Sequence, residues 1–198
     1  MSDQAAPDAT ASRKTTAAQD WWRDLDNRDR AGRARLKRAD LDGAMIDEAT
    51  LRLFRRLGRR TPRDLSRIAA LAAVLAAVRE DTGRGTPFAR QVGFSKMPAD
   101  PQKPEVDNKP ALSVLRFRRL MSATDDADLA RQFRRAVDLL GGKANVEDIE
   151  RVMLRWHRPE IRRGFAFDYF GAGIAAPLRD TASDPDATTD SLEPAPYA

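Results

Sequence analysis

The side chains in this sequence with the clearest chemical potential are its arginines. The run Leu112 to Met121 carries Arg116, Arg118 and Arg119 without a single acid among them. Stepped at helical spacing, Arg116 and Arg119 project together at the rim of an apolar arc of Val114, Phe117, Leu120 and Met121, while Arg118 points elsewhere. Farther along, Arg131, Arg134 and Arg135 fall opposite Leu129, Phe133, Ala136, Val137 and Leu140, with Asp138 among them. Arg131 and Arg135 are four residues apart, where like charges repel by about 0.2–0.5 kcal/mol, a cost that a bound anion relieves. A third cluster, Arg33, Arg35, Lys37 and Arg38, lies near the N-terminus. A guanidinium is planar, always charged and grips a phosphate through two parallel N–H donors. Each cluster taken alone also fits an ordinary solvated helix face. Three of them from separate parts of one chain predict a stripe that follows a phosphate backbone.

Nothing comparable points to catalysis. The sequence holds one histidine, His157, between Trp156 and Pro159, and no cysteine, which excludes disulfides, thiol nucleophiles and cysteine-held zinc. Gly83 and Gly85 lack the Gly-Lys-Ser/Thr ending of a phosphate-binding loop. Asp125 and Asp126 are adjacent, but at a helix start, where the helix dipole favours acids. Most other acids stand three or four residues from an arginine, as Glu147 does from Arg151, which is the pattern of surface ion pairs. The expectation is a protein that is not an enzyme and has no metal, no cofactor and no small-molecule substrate. The aromatics Trp22, Trp156, Phe165, Phe167, Tyr169 and Phe170 could stack on bases, yet their spacing beside Leu25, Ile149, Val152 and Met153 places most of them in a core.

The charge balance agrees with a polyanionic partner. The chain nets +5 with a pI near 9.9. Residues 172–198 hold Arg179 against Asp180, Asp184, Asp186, Asp190 and Glu193, and residues 1–19 are neutral, so residues 20–171 carry +9. The longest apolar run, Ile68 to Val78, is too short for a membrane span of roughly 20 residues. With no apolar leader and no cysteine, a cytoplasmic protein without membrane contact is expected.

The elements that must position these arginines are helical throughout. Thr16 and Gln19 have capping-box spacing ahead of Trp21, Trp22 and Leu25. A basic stretch from Arg28 to Arg38 follows, then a helix capped by Asp47 and closed by Gly58. Thr61, Pro62 and Asp64 start a helix carrying Leu65, Ile68, Ala69, Ala72, Leu75 and Val78, which Gly83 and Gly85 end. Residues 83–110 are rich in Gly and Pro and form a long connection, pinned by Phe88, Val92, Phe94 and Met97. Four helices follow: Leu112 to Met121, Asp125 to Leu140, Val146 to Trp156 behind the cap Asn145, and one opened by Pro159 that runs to Gly171. The fold expected is all-α. Two small bundles, 16–82 and 111–171, flank the 83–110 connection, and the tails 1–15 and 172–198 are too poor in apolar residues to fold.

In this order the elements resemble one family. They are Trp21-Trp22-x-x-Leu25 with an Arg-rich segment ending Arg35-Leu36-Lys37-Arg38; Leu112-Ser113-x-Leu115-Arg116-Phe117-Arg118-Arg119-Leu120; Asn145-Val146 ahead of a helix ending in Trp156; and Arg163-Gly164-Phe165-Ala166-Phe167-Asp168-Tyr169-Phe170-Gly171. Over roughly residues 16–171 they are similar to the CasB family, the small subunit of the type I-E CRISPR Cascade complex. The resemblance implies an all-helical protein in two bundles, present in two copies among the other Cascade subunits. It implies a non-catalytic basic surface beside the guide RNA that stabilises the opened target DNA and its displaced non-target strand. Carried onto the matched segments, it implies contacts by Arg35, Lys37, Arg38, Arg116, Arg118 and Arg119. Arg131, Arg134 and Arg135 join them on helix geometry alone.

Two other readings compete. A scaffold touching only protein would use the same basic clusters as docking faces. A helix-turn-helix regulator would need a base-reading helix after Gly141-Gly142, but the helix there begins acidic and is apolar along one face.

Overall fold

The structure, a computed structural model, describes residues 15–58, 61 and 63–172. Expectations for the terminal tails and for Pro62 therefore lie outside the described residues.

Helix α1 (Ala17–Arg28) starts on the capping box its spacing requires. The Thr16 hydroxyl accepts from the Gln19 amide at 3.2 Å and the Gln19 side chain accepts from the Thr16 amide at 3.0 Å. Its two tryptophans are core pegs with satisfied indoles. Trp21 donates to the Ala49 carbonyl at 2.9 Å and Trp22 to the Val78 carbonyl at 3.0 Å. The basic stretch breaks at Asp29, whose carboxylate caps α2 (Arg30–Arg38) by accepting from Gly32 at 2.7 Å. A short helix that the periodicity did not reveal, α3 (Leu41–Ile46), follows under the cap Asp40. Asp47 caps α4 (Glu48–Arg56), and Gly58 closes it at φ +63°, a left-handed conformation that costs glycine nothing.

Helix α5 (Arg63–Ala77) is the axis of the molecule. Every residue from Ile68 to Ala77 is buried, and α2, α3, α4, α8 and α9 all pack on it. The alanines among these residues make this possible, because small side chains let several helices approach one helix from all sides. It ends at Ala77 rather than at the glycines. The chain then straightens into β1 (Glu80–Asp81), which pairs in parallel with β2 (Lys143–Ala144).

The 83–110 connection is structured by its own contacts. It contains α6 (Phe88–Val92) and a 3₁₀ turn at Val106–Asn108, and Phe88, Val92 and Phe94 are buried as expected. Met97 is not a pin, being 66% exposed. Asn108 pins the loop instead. Its side-chain oxygen accepts from the Ser95 and Lys96 amides at 3.0 and 3.2 Å, and its NH₂ donates to the Lys96 carbonyl at 2.9 Å.

Beyond it lie α7 (Val114–Met121), α8 (Asp126–Leu139, capped by Asp125), α9 (Val146–Leu154, capped by Asn145) and α10 (Pro159–Tyr169). The helical groups on either side of the connection share one core. Helix α5 lies against α8 and α9, and the buried side chains of both halves form a single cluster.

Helix α10 docks on α6 through a backbone approach that only glycine permits. The Phe94 amide donates to the Tyr169 carbonyl at 2.7 Å, and a Cβ on Gly93 would stand 2.2 Å from that same oxygen. Gly93→Ala is expected to destabilise the protein by about 1–3 kcal/mol. Gly164→Ala, mid-helix in α10 with nothing within 4 Å of a new Cβ, is expected to stabilise it by about 0.5–1 kcal/mol. Thermal unfolding of the two variants should move in opposite directions.

Candidate nucleic-acid interface

Helix α7 owes its rotation to aromatic packing. Phe117 lies flat on Tyr169, with centroids 3.8 Å apart at 8°, and edge-on to Phe170 at 5.3 Å. Burial raises the pKa of the Tyr169 phenol above its ordinary value, so it stays protonated and donates to the Leu112 carbonyl at 2.6 Å. With Phe117 and Leu120 turned inward, Arg116 and Arg119 face α8 from the exposed side.

Helix α8 is held along its length. Phe133 stacks on Phe88 with centroids 5.5 Å apart and meets Trp156 edge-on at 5.7 Å. Asp126 accepts from the Ser66 hydroxyl at 2.7 Å and pairs with Arg67 of α5. This turns Arg131, Arg134 and Arg135 outward, as helical spacing predicts, and places them between α7 and the α2–α3 corner.

Two adjoining clefts result. One is lined by Arg116, Arg119, Arg135, Asp138 and Leu139. The other has a rim of Arg131, Arg134, Arg135 and Asp138 over a floor that includes Leu41, Ala73 and Ala130. Arg135 and Asp138 line both, so the α7 and α8 clusters form one belt. Arg134 carries the belt to the third cluster by donating to the Lys37 carbonyl and, at 3.2 Å, to the Ala39 carbonyl at the C-terminal end of α2. Two of its N–H groups are thus committed to fastening α8 to α2, where Lys37 and Arg38 are exposed.

The expected residues divide by what they already hold. Among the described residues no acid lies within ion-pair distance of Lys37, Arg38, Arg116, Arg118, Arg119 or Arg135, and all six are exposed. Arg118 lines neither cleft. Arg131 pairs with Asp128 at 3.1 Å across one helical turn and keeps an exposed side chain. Arg35 is engaged by Asp47, with Nε at 2.8 Å and an Nη at 3.4 Å. That hydrogen bond raises the Arg35 pKa, and the ionic attraction adds to it. Arg33, a member of the N-terminal cluster, is turned inward to cap α5, donating to the Ala76 carbonyl at 3.1 Å and to the Val78 carbonyl. Burial lowers its pKa.

Two features escaped the sequence reading. Leu115 and Leu139 are 60% and 41% exposed, and Leu139 sits among the cleft arginines. Leu139 falls outside the apolar arc of Leu129, Phe133, Ala136, Val137 and Leu140 read from the sequence. A further group of arginines, Arg155, Arg158 and Arg163, is exposed on the α9–α10 corner, and its signal was the basic run around His157. His157 is itself exposed. Among the described residues no group of three or more His, Asp or Glu side chains could hold a metal ion, and no helix is long and apolar enough to cross a membrane.

Neither a curated protein nor a solved structure matches this chain significantly. A family model does: CRISPR-associated protein Cse2, over residues 32–170. That span runs from α2 to the end of α10 and contains all nine arginines and lysines expected at the site. The chain belongs to the Cse2 family, the CasB small subunit of the type I-E CRISPR Cascade complex.

Proposed function

We propose that this Cascade subunit binds nucleic acid along the belt from α7 across α8 to the end of α2. In this role it is a non-catalytic protein that stabilises the R-loop of guide RNA and target DNA and holds the displaced non-target strand in antiviral defence. It acts there with the other Cascade subunits and a second copy of itself, in the cytoplasm. The observation that carries the reading is Arg135, shared by two clefts, which joins arginines from separate helices into one surface on which Arg116, Arg119 and Arg135 make no ion pair with a described acid.

The energetics suit the task. Exchanging a DNA duplex for a guide–target heteroduplex is nearly balanced, so modest backbone contacts tip it. Phosphate contacts carry no base information, which is what an arbitrary displaced strand requires. Arg116, Arg119, Arg131 and Arg135 are the residues assigned to phosphates, with Lys37 and Arg38 extending the track. Arg134 positions the track, and Arg35 joins only where a phosphate displaces Asp47.

Binding to unrelated single-stranded oligonucleotides is expected to be indifferent to their sequence. Its logarithm should fall with log salt at a slope of roughly −3 to −4, as about five phosphate contacts require. A flat salt dependence, or strong preference for one sequence, would sink the reading. The exposed Leu115 and Leu139 favour a second reading, a protein-docking scaffold. Intact assembly of a belt variant that no longer protects the displaced strand separates the two.

A further inference from the structure

We infer that the acidic segment Asp180 to Glu193 of this same chain docks on the α8 part of the belt and competes there with nucleic acid. The inference rests on the belt being a phosphate-binding surface. It adds an occupant that the family match does not cover, since that match ends at residue 170.

Three observations carry it. The first is charge. The segment and its approach hold Asp180, Asp184, Asp186, Asp190 and Glu193 against Arg179 alone. The belt offers Arg116, Arg119 and Arg135 with no acid in ion-pair range among the described residues. The second is reach. The described chain finishes at Ala172, one turn past Tyr169, which lies on Phe117 of α7 with centroids 3.8 Å apart. Asp180 is eight residues beyond Ala172 and Glu193 twenty-one. Those lengths extend at most about 26 and 70 Å, whereas α7 itself is about 12 Å long. The third is shape. The α8 cleft has an apolar floor of Leu41, Ala73 and Ala130, and Arg131, Arg134 and Arg135 outnumber Asp40 and Asp138 around it. A phosphodiester makes no use of such a floor. Leu192, set between Asp190 and Glu193, does.

Tethering makes the contact effective without high intrinsic affinity. A segment attached so close to its site is present there at roughly millimolar concentration, so a weak ionic contact fills the site most of the time. A tail that occupies the belt nine-tenths of the time weakens the apparent affinity for nucleic acid about tenfold. Binding would then favour a strand that several Cascade surfaces hold at once over stray single strands met one contact at a time.

The absence of cysteine provides a clean test. Ser191→Cys in the full chain gives one thiol for a nitroxide spin label, and amide signals report what the label approaches. At low salt the signals of Arg116–Arg119 and Arg131–Leu139 should broaden. They should recover when the five acids are neutralised (Asp180→Asn, Asp184→Asn, Asp186→Asn, Asp190→Asn, Glu193→Gln) and when an unrelated single-stranded oligonucleotide is added. The neutralised chain should bind that oligonucleotide about tenfold more tightly. No broadening, broadening that survives neutralisation, or broadening confined to Arg155–Arg163 would overturn the inference. Broadening that depends on the acids, in a chain whose belt never binds the oligonucleotide, would keep the docking and overturn the nucleic-acid reading instead.

Discussion

Replacing Arg116, Arg119 and Arg135 together by glutamate is expected to weaken binding of single-stranded nucleic acid by about a hundredfold at 0.1 M salt. Each phosphate contact on a single strand contributes a salt exponent of about 0.7, which at that salt is about fivefold in affinity, so three contacts multiply to roughly a hundredfold. The salt slope should become shallower by about 2 in the same variant. Folding should be almost untouched. The three side chains are exposed and make no ion pair with a described acid, so a melting temperature within about 2 °C of the parent is expected. Arg118→Glu is the internal control. It makes one such charge reversal on α7, but Arg118 lines neither cleft, and an effect within about twofold is expected. A loss of about fivefold in the control, matching the share of each residue in the triple variant, would mean that net charge, not the belt, binds the strand. Filter binding or fluorescence anisotropy across a salt series measures all of this.

Phe117→Ala should be the most destabilising of the substitutions considered. Truncating a buried aromatic costs about 3–5 kcal/mol, and Phe117 is 5% exposed between Tyr169, Phe165 and Phe170. For a domain of this size that corresponds to a fall of roughly 10–15 °C in melting temperature. The same change loosens the rotation of α7 that aims Arg116 and Arg119, so affinity for a single strand should fall even well below the new melting point. Phe117→Leu keeps most of the volume and should restore much of both. Tyr169→Phe isolates the hydrogen bond to the Leu112 carbonyl, and about 1–2 kcal/mol is expected from that loss alone. Calorimetry or circular dichroism reports the stabilities. A Phe117→Ala chain as stable as the parent would show that α7 is not held by this stack.

The fold was legible wherever a local rule governed it. Thr16 with Gln19, Asp47 and Asn145 all cap the helices expected of them, because an N-cap bond closes over three residues or fewer and needs nothing from the rest of the chain. Helix α3 was missed because six residues are too few to show a period. The end of α5 was placed too late because pairing of β1 with the distant β2 draws the chain out of the helix before the glycines.

For the candidate site, the sequence by itself determined which helix faces carry guanidinium groups, since the direction of a side chain on a helix follows from its index. Only the tertiary structure decided which of those groups are spent. Arg33 caps α5, Arg35 holds Asp47, and Arg134 bonds carbonyls at the end of α2. Glu147, expected to pair with Arg151, meets Arg84, while Arg151 turns to Asp148. The reason is one of reach. A guanidinium rides on a long, flexible stem with five donors, and its best acceptor is often an unsatisfied carbonyl or carboxylate on another helix. Sequence spacing cannot register that acceptor, and only the packing of helix on helix brings it near.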